Sequence, residues 1–170
     1  VSAEMDPHAH KTLHLRAFFR ILKKKYSKGL GDYYDFCHGN AEQPWSDRTK
    51  KYWLEAGQEA QQLTLGSDES NRILDEIIDN GLDRSKPWVL IGGPPCQAYS
   101  LVGRARNKGI ADYSAEGDHR NFLYKEYLRI IQRYSPSVFV MENVKGILSS
   151  KVGKTKISNL VFNDLSDIII

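Results

Sequence analysis

Apolar positions along this chain alternate between helical spacing and short continuous runs. Leu13, Ala17, Phe18, Ile21 and Leu22 recur every three or four residues and predict an amphipathic helix over 7–25. Asp6 and Pro7 suit its start, since the Asp side chain can accept first-turn amides and Pro lacks the donor that would go unpaired. Ile73, Leu74, Ile77 and Ile78 mark a second helix, which Gly81 is expected to end in a left-handed conformation. Phe122, Leu123, Tyr127, Ile130, Ile131 and Tyr134 mark a third at about 119–134, and Leu160, Phe162, Leu165 and Ile168 a fourth. Between them lie "VSAEM" at the start, "LTL" at 63–65, "WVLI" at 88–91 and "VFVM" at 138–141, which read as strands. "WVLI" is the kind of run that a parallel sheet buries on both faces. Residues 26–62 are polar, aromatic and irregular, an expected insertion with a helix after Ser46.

Strands alternating with helices predict an α/β domain, doubly wound around a mostly parallel sheet. Ligands in such sheets bind beyond the carboxyl ends of the strands. Polar groups cluster at those ends: Glu4 after the first strand, Ser67 and Asp68 after the second, Cys96 after the third and Glu142 after the fourth.

Composition narrows the picture only slightly. The 170 residues suffice for one domain with a core, and 41% of them are hydrophobic. No apolar run is long enough to cross a membrane, and no basic-then-apolar leader opens the chain. A formal charge of +3 is compatible with a nucleic-acid partner without requiring one. The two cysteines, Cys37 and Cys96, form no Cys-x-x-Cys pair, which argues against structural zinc and a disulfide framework and for a reducing, cytoplasmic setting. "HKTLH" holds His10 and His14 at metal-ligand spacing, but Lys11 stands where a zinc protease needs Glu, so no metal is expected and both histidines read as polar surface.

The candidate chemistry lies in "WVLIGGPPCQAYS" at 88–100. A thiolate is a strong, soft nucleophile, and a loop leaving a strand can hold it beside a bound substrate. Pro94 and Pro95 stiffen that loop, while Gly92 and Gly93 admit a close ligand. Glu142 in "VFVMENVKGIL" directly follows a strand, where partial desolvation is expected to raise its pKa and suit it to proton transfer.

These residues carry a family resemblance. "GGPPCQAYS" resembles the nucleophile motif of DNA (cytosine-5) methyltransferases, and "ENV" at 142–144 resembles their second catalytic motif. "HRNFLYKEYLRIIQRYSPSVFVMENVKGIL" is similar to the whole stretch leading into that motif, and "VSAEMDPHA" to a cofactor segment of the family. The resemblance implies a Rossmann-like methyltransferase fold, S-adenosylmethionine as cofactor, and double-stranded DNA as substrate. Cys96 would add to carbon 6 of a flipped-out cytosine while Glu142 protonates or hydrogen-bonds nitrogen 3, which activates carbon 5 toward the methyl group. Glu4 would accept from the ribose hydroxyls, Met5 would pack on adenine, and either Ser67 or Asp68 would contact it; Pro95 and Leu123 would line the methionine end. Gln97, Ser100, Arg104 and Arg106 would face the nucleic acid, the two arginines as phosphate contacts.

Gly66 is followed by Ser67 where the family usually has Asp, and Tyr99 replaces a common Phe. The glycine-rich first cofactor motif, the downstream arginine motif and the target-recognition region are absent, so the chain reads as residues 1–170 of a partial catalytic domain, incomplete at both ends and inactive alone. A prokaryotic, DNA-associated enzyme of a restriction-modification system, with a cognate endonuclease as possible partner, is the corresponding expectation. The alternatives are the tRNA-methylating branch of the same family and an inactive relative.

Overall fold

The computed structural model describes residues 1–93, 123–149, 151–152 and 154–169. It divides the chain into two compact units, Val1–Leu82 and Asp83–Ile170. Each is built around one pair of parallel strands.

In the first unit, β1 (Ser2–Glu4) pairs in parallel with β2 (Ala60–Gln62). Parallel neighbours need a long crossover, and here it holds three helices: α1 (Pro7–Lys25), α2 (Leu30–Cys37) and α3 (Lys50–Glu59). Asp6 starts α1 as expected. Its carboxylate accepts the amides of Ala9 at 2.8 Å and His8 at 2.9 Å, and these bonds hold its pKa below the ordinary value. Phe18 and Leu22 are fully buried with Ala17 and Ala56 between α1 and α3. Removing side chains of that size from water contributes about 1.5–3 kcal/mol each.

The helix α3 runs back along α1, with Gly57 beside His14 and Thr49 beside Gly29. His10 and His14 are therefore not polar surface. The Nε2 of His14 faces the carbonyl oxygen of Trp53 at 2.9 Å, and its ring stacks on the Trp53 indole at 3.7 Å. The Nε2 of His10 faces the carbonyl oxygen of Ala60 at 3.1 Å. A carbonyl can only accept, so both nitrogens carry the proton. The two histidines fasten α1 to α3 and β2.

Asp32 on α2 fixes the turn ahead of α3. Its carboxylate accepts from the hydroxyls of Thr49 at 2.5 Å and Ser46 at 2.6 Å, and from the Ser46 amide at 3.1 Å. Burial pushes the Asp32 pKa up, but these hydrogen bonds and the nearby charge of Arg48 outweigh it, and the carboxyl ends below its ordinary value. A depressed native pKa gives stability that is present above the unfolded value of about 3.9 and is lost as pH falls through the native one. Asp32→Ala should cost about 1–2 kcal/mol at pH 7, because the Thr49 hydroxyl, 1% exposed, loses an acceptor. Urea melts of parent and variant should differ at pH 7, and the difference should shrink as pH falls below about 3.9.

The expected strand "LTL" lies three residues late. The ladder occupies Ala60–Gln62 and continues only through the Leu63 amide, which donates to the Glu4 carbonyl at 3.1 Å. Thr64 to Ser67 form a turn in which Gly66 has φ +94°. The helix α4 (Asp68–Gly81) follows. Gly81 is its last residue and is not left-handed; the positive-φ glycines among the described residues are Gly39 and Gly66.

In the second unit, β3 (Val89–Gly92) and β4 (Val138–Met141) pair in parallel, Val89 opposite Val138 and Gly92 opposite Met141. The helix α5 (Tyr124–Tyr134) lies in their crossover and ends at Ser135, which is left-handed with φ +46° and precedes Pro136. A small antiparallel pair, β5 (Lys151–Val152) and β6 (Thr155–Lys156), leads into α6 (Ile157–Ile169). Tyr127, Leu128, Ile131, Ile157 and Val161 form the core, and Leu90, Phe139 and Met141 pack on it from the sheet. The Tyr124 hydroxyl donates to Asp164 at 2.8 Å and joins α5 to α6.

The expectation that "WVLI" is buried on both faces is corrected within this unit. Val89 is 55% exposed and Ile91 72%, and their ladder partners Val138 and Val140 are exposed too. The continuous apolar run arises because one face packs on α5 and the other is equally apolar yet uncovered by the unit itself. The architecture is mixed α/β with small parallel sheets.

Candidate active site

In a parallel pair both carboxyl ends reach the same edge, so each unit presents one such edge. In the first, Glu4 ends β1 and its Oε1 accepts the Asp6 amide at 2.9 Å. Met5 follows with its side chain 55% exposed.

The turn after β2 is held by its own side chains. The Ser67 hydroxyl donates to the Thr64 carbonyl at 3.1 Å and accepts the Ser70 amide at 3.3 Å. Asn71 accepts the Gly66 amide at 3.2 Å, and the Ser70 hydroxyl accepts the Thr64 amide at 3.2 Å. Ser67 is thus the N-cap of α4, with its oxygen engaged in the turn. Asp68, the first residue of α4, stands exposed beside it.

In the second unit the edge is formed by Gly92, Gly93 and Glu142. The Glu142 amide donates to the Gly92 carbonyl at 2.9 Å, which carries the β3–β4 ladder one step past the strands. The Glu142 carboxylate then lies directly against Gly93. A Cβ built on Gly93 would collide with Oε2 and stand 3.3 Å from the Glu142 carbonyl oxygen. The near neighbour of Gly93 is thus the Glu142 carboxylate.

Tyr127 supports the same edge from below. Its hydroxyl lies 2.9 Å from the Val140 carbonyl and 3.2 Å from that of Leu90, one on each strand. Burial raises its pKa. Its ring lies so near Gly92 that a Cβ there would come within 2.8 Å. Beyond Glu142, the Asn143 side chain accepts the Val144 amide at 2.8 Å, ahead of the 3-10 turn Lys145–Leu148.

Of the residues singled out from the sequence, Glu4, Met5, Ser67 and Asp68 share the edge of the first unit. Glu142 stands at the edge of the second, and Leu123 is the N-cap residue of α5. Pro95, Cys96, Gln97, Ser100, Arg104 and Arg106 lie outside the described residues. Glu142 is exposed, so the desolvation expected from its place after a strand is not supplied by its neighbours among the described residues. A side chain one residue past β4 projects from the edge instead of into the core.

Two contributors were not read from the sequence. The sequence reads Gly93 as room for a ligand, whereas its neighbour is Glu142. Tyr127 was counted as an apolar helix position; its hydroxyl, on the face that packs against two strand carbonyls, was the available signal. No group of three or more His, Cys, Asp or Glu that could hold a metal occurs among the described residues. No helix among them is long and apolar enough to cross a membrane.

The family described as C-5 cytosine-specific DNA methylase matches residues 67–168. The chain is 49% identical over 82 residues to the type II methyltransferase M.Bpa9945I of Bacillus paralicheniformis, covering 46% of this chain and 18% of that protein. It is 38% identical over 82 residues to M1.HphI of Haemophilus parahaemolyticus (48% and 20%) and 38% identical over 80 residues to M.DdeI of Desulfomicrobium norvegicum (46% and 17%). The matches span about a fifth of the length of these relatives. No solved structure matches.

Proposed function

The chain belongs to the C-5 cytosine-specific DNA methylase family, and from that premise we propose that it supplies the cytosine-activating half of a DNA methyltransferase, transferring a methyl group to carbon 5 of cytosine in duplex DNA. The observation that carries this reading is the seating of the Glu142 carboxylate on Gly93, at the shared end of β3 and β4. Three peptide units separate Gly93 from Cys96, a span of about 11 Å at full extension. Both motifs of the proposed chemistry are thus tied to one edge.

Cys96 is the proposed nucleophile. Its thiolate adds to carbon 6 of the cytosine ring, forming a C–S bond, while Glu142 in its acid form places a proton or a hydrogen bond on nitrogen 3. The ring becomes an enamine whose carbon 5 can attack an electrophilic carbon. After methylation a base takes the proton from carbon 5, and the thiolate leaves with its electron pair to restore the aromatic ring. Glu142 is exposed, so the dehydration that favours its acid form comes from the base docking over it.

S-adenosylmethionine, the proposed methyl donor, supplies the activated methyl of a sulfonium. The fit to this chain lies in the first unit: a strand-end carboxylate with one oxygen engaged, an exposed Met5 for a flat apolar group, and an exposed Asp68. Between Ser67 and Asp68, the capping duty of Ser67 favours Asp68 as the adenine contact. Pro95 and Leu123 are proposed at the methionine end, and Gln97, Ser100, Arg104 and Arg106 at the DNA. The two small parallel sheets suit the doubly wound, Rossmann-like methyltransferase fold of this reading, and the relatives' type II character suggests a restriction-modification setting.

Labelled methyl transfer tests the reading on the chain within its longest reading frame. A cytosine-containing duplex should accept label, and a duplex with 5-methylcytosine at the target should not. Label on tRNA alone would move the substrate to RNA, and label on neither would make the protein an inactive relative. Gly93→Ala should lower transfer about 10- to 100-fold while leaving the melting temperature within a few degrees. The added methyl displaces a flexible exposed carboxylate, costing little stability, but misplaces the proton donor by a distance catalysis does not tolerate.

A further inference from the structure

The end of the α1–α3 pair where Gly29 meets Thr49 gathers positive charge from two distant parts of the sequence. Lys23, Lys24 and Lys25 close α1, and Lys28 lies in the turn after it. Arg48, Lys50 and Lys51 arrive at the start of α3, and all seven side chains are exposed. The acidic groups at this end are Asp32, held by Ser46 and Thr49, Glu55, paired with Lys25 at 2.5 Å, and Asp47. Seven of the chain's 24 Lys and Arg thus face three of its 21 Asp and Glu, and the remainder of the chain carries 17 basic groups against 18 acidic. The net positive charge of the whole chain resides at this one end.

Helix electrostatics account for only part of the cluster. Lys23 to Lys25 complement the negative end of α1. Lys50 and Lys51 do the opposite: they occupy the first two positions of α3, the positive end of its dipole, and no acidic residue stands in that first turn. They cost helix stability and need a different reason.

Their amines are also positioned. Lys50 Nζ lies 5.0 Å above the Trp45 ring and Lys51 Nζ 4.9 Å above the Tyr52 ring, which in turn stacks on Tyr26 at 5.8 Å. Cation–π contacts of this kind hold the amines in place. They also occupy the ring faces, so the patch offers fixed cations and not stacking platforms for bases.

We propose that this patch is a second DNA contact, binding the phosphate backbone of duplex DNA without reading its sequence. The choice of DNA as the polyanion rests on the methyltransferase reading above; the patch itself is argued from charge and placement. Backbone contacts of this type set affinity through counterion release, so the log of the binding constant falls with log salt by about 0.9 per phosphate neutralised.

The probe is a fluorescein-labelled 24-base-pair oligo(dA)·oligo(dT) duplex, which contains no cytosine, titrated with the full chain by anisotropy at several salt concentrations. The triple variant Lys28→Gln, Lys50→Gln, Lys51→Gln should weaken binding roughly 10- to 100-fold at low salt and reduce the salt slope by about 2–3. The corresponding triple Arg variant should bind like the parent, and circular dichroism should show all three chains folded. Parent-like affinity and slope in the folded Gln variant, or no binding by the parent, would overturn the proposal and leave the patch to an acidic protein or to solvent. Loss of methyl transfer with this binding intact would strike the enzymatic reading alone. Intact transfer with an unchanged slope would strike the patch alone.

Discussion

Cys96→Ala is expected to reduce methyl transfer by about 10⁴-fold or more, to the level of a preparation without enzyme. The size of the effect follows from the chemistry. Carbon 5 of cytosine does not attack a methyl sulfonium unaided; the ring must first gain electrons from a nucleophile at carbon 6. The other cysteine of the chain, Cys37, lies on α2 in the first unit. Removing the group that forms the covalent intermediate removes the pathway, not merely a fraction of its rate. Binding of duplex DNA should survive in the same variant. Gel-shift and transfer assays on one preparation would separate the two. A variant retaining more than about 1% of parental transfer would place the nucleophile elsewhere.

Glu142→Gln is the second large effect, expected at about 10²–10⁴-fold in transfer rate, the usual range for a positioned acid or base. Gln fills the same space against Gly93 and can still donate a hydrogen bond to nitrogen 3, so the backbone arrangement of β3 and β4 is kept. It cannot deliver a proton. The variant should therefore bind DNA and cofactor normally while its transfer rate falls. If Glu142 were only a surface acid, which its exposure would otherwise suggest, Gln would be silent. Single-turnover kinetics at saturating DNA distinguish these outcomes.

Helices with a clear apolar stripe were legible at the level of the sequence. The bounds of α1 follow from Asp6, Pro7 and the terminal lysines, because capping chemistry is local and the amides of His8 and Ala9 have no other partner. The strand "VFVM" was also read correctly, since β-branched and aromatic residues fit a pleated surface. The second strand was placed wrongly for the same reason. "LTL" has the better strand composition, but pairing with Ser2–Glu4 selects Ala60–Gln62, a choice made by a partner 58 residues away.

Contacts between distant side chains were the least legible. The sequence pointed to Glu142 and to a glycine pair as separate features, and only the parallel register of β3 and β4 sets one against the other. His10 and His14 looked like solvated residues because their acceptors are backbone carbonyls, which any residue supplies and no side-chain pattern advertises. The basic end of the α1–α3 pair was hidden in the same way: Lys23 to Lys25 and Lys50 to Lys51 are two ordinary runs until antiparallel packing joins them.

The central claim is that Cys96 and Glu142 act together on cytosine, and mechanism-based trapping tests it most directly. A duplex carrying 5-fluorocytosine, incubated with S-adenosylmethionine and the complete reading frame containing this chain, should yield a protein–DNA adduct that survives denaturation. Fluorine at carbon 5 cannot leave as a proton does, so the C–S bond persists. The adduct should require the methyl donor, map to the peptide containing Cys96, and form at least about a hundredfold more slowly in Glu142→Gln. An adduct mapping to a different residue, or none on DNA from a protein that binds it, would show that Cys96 is not the nucleophile.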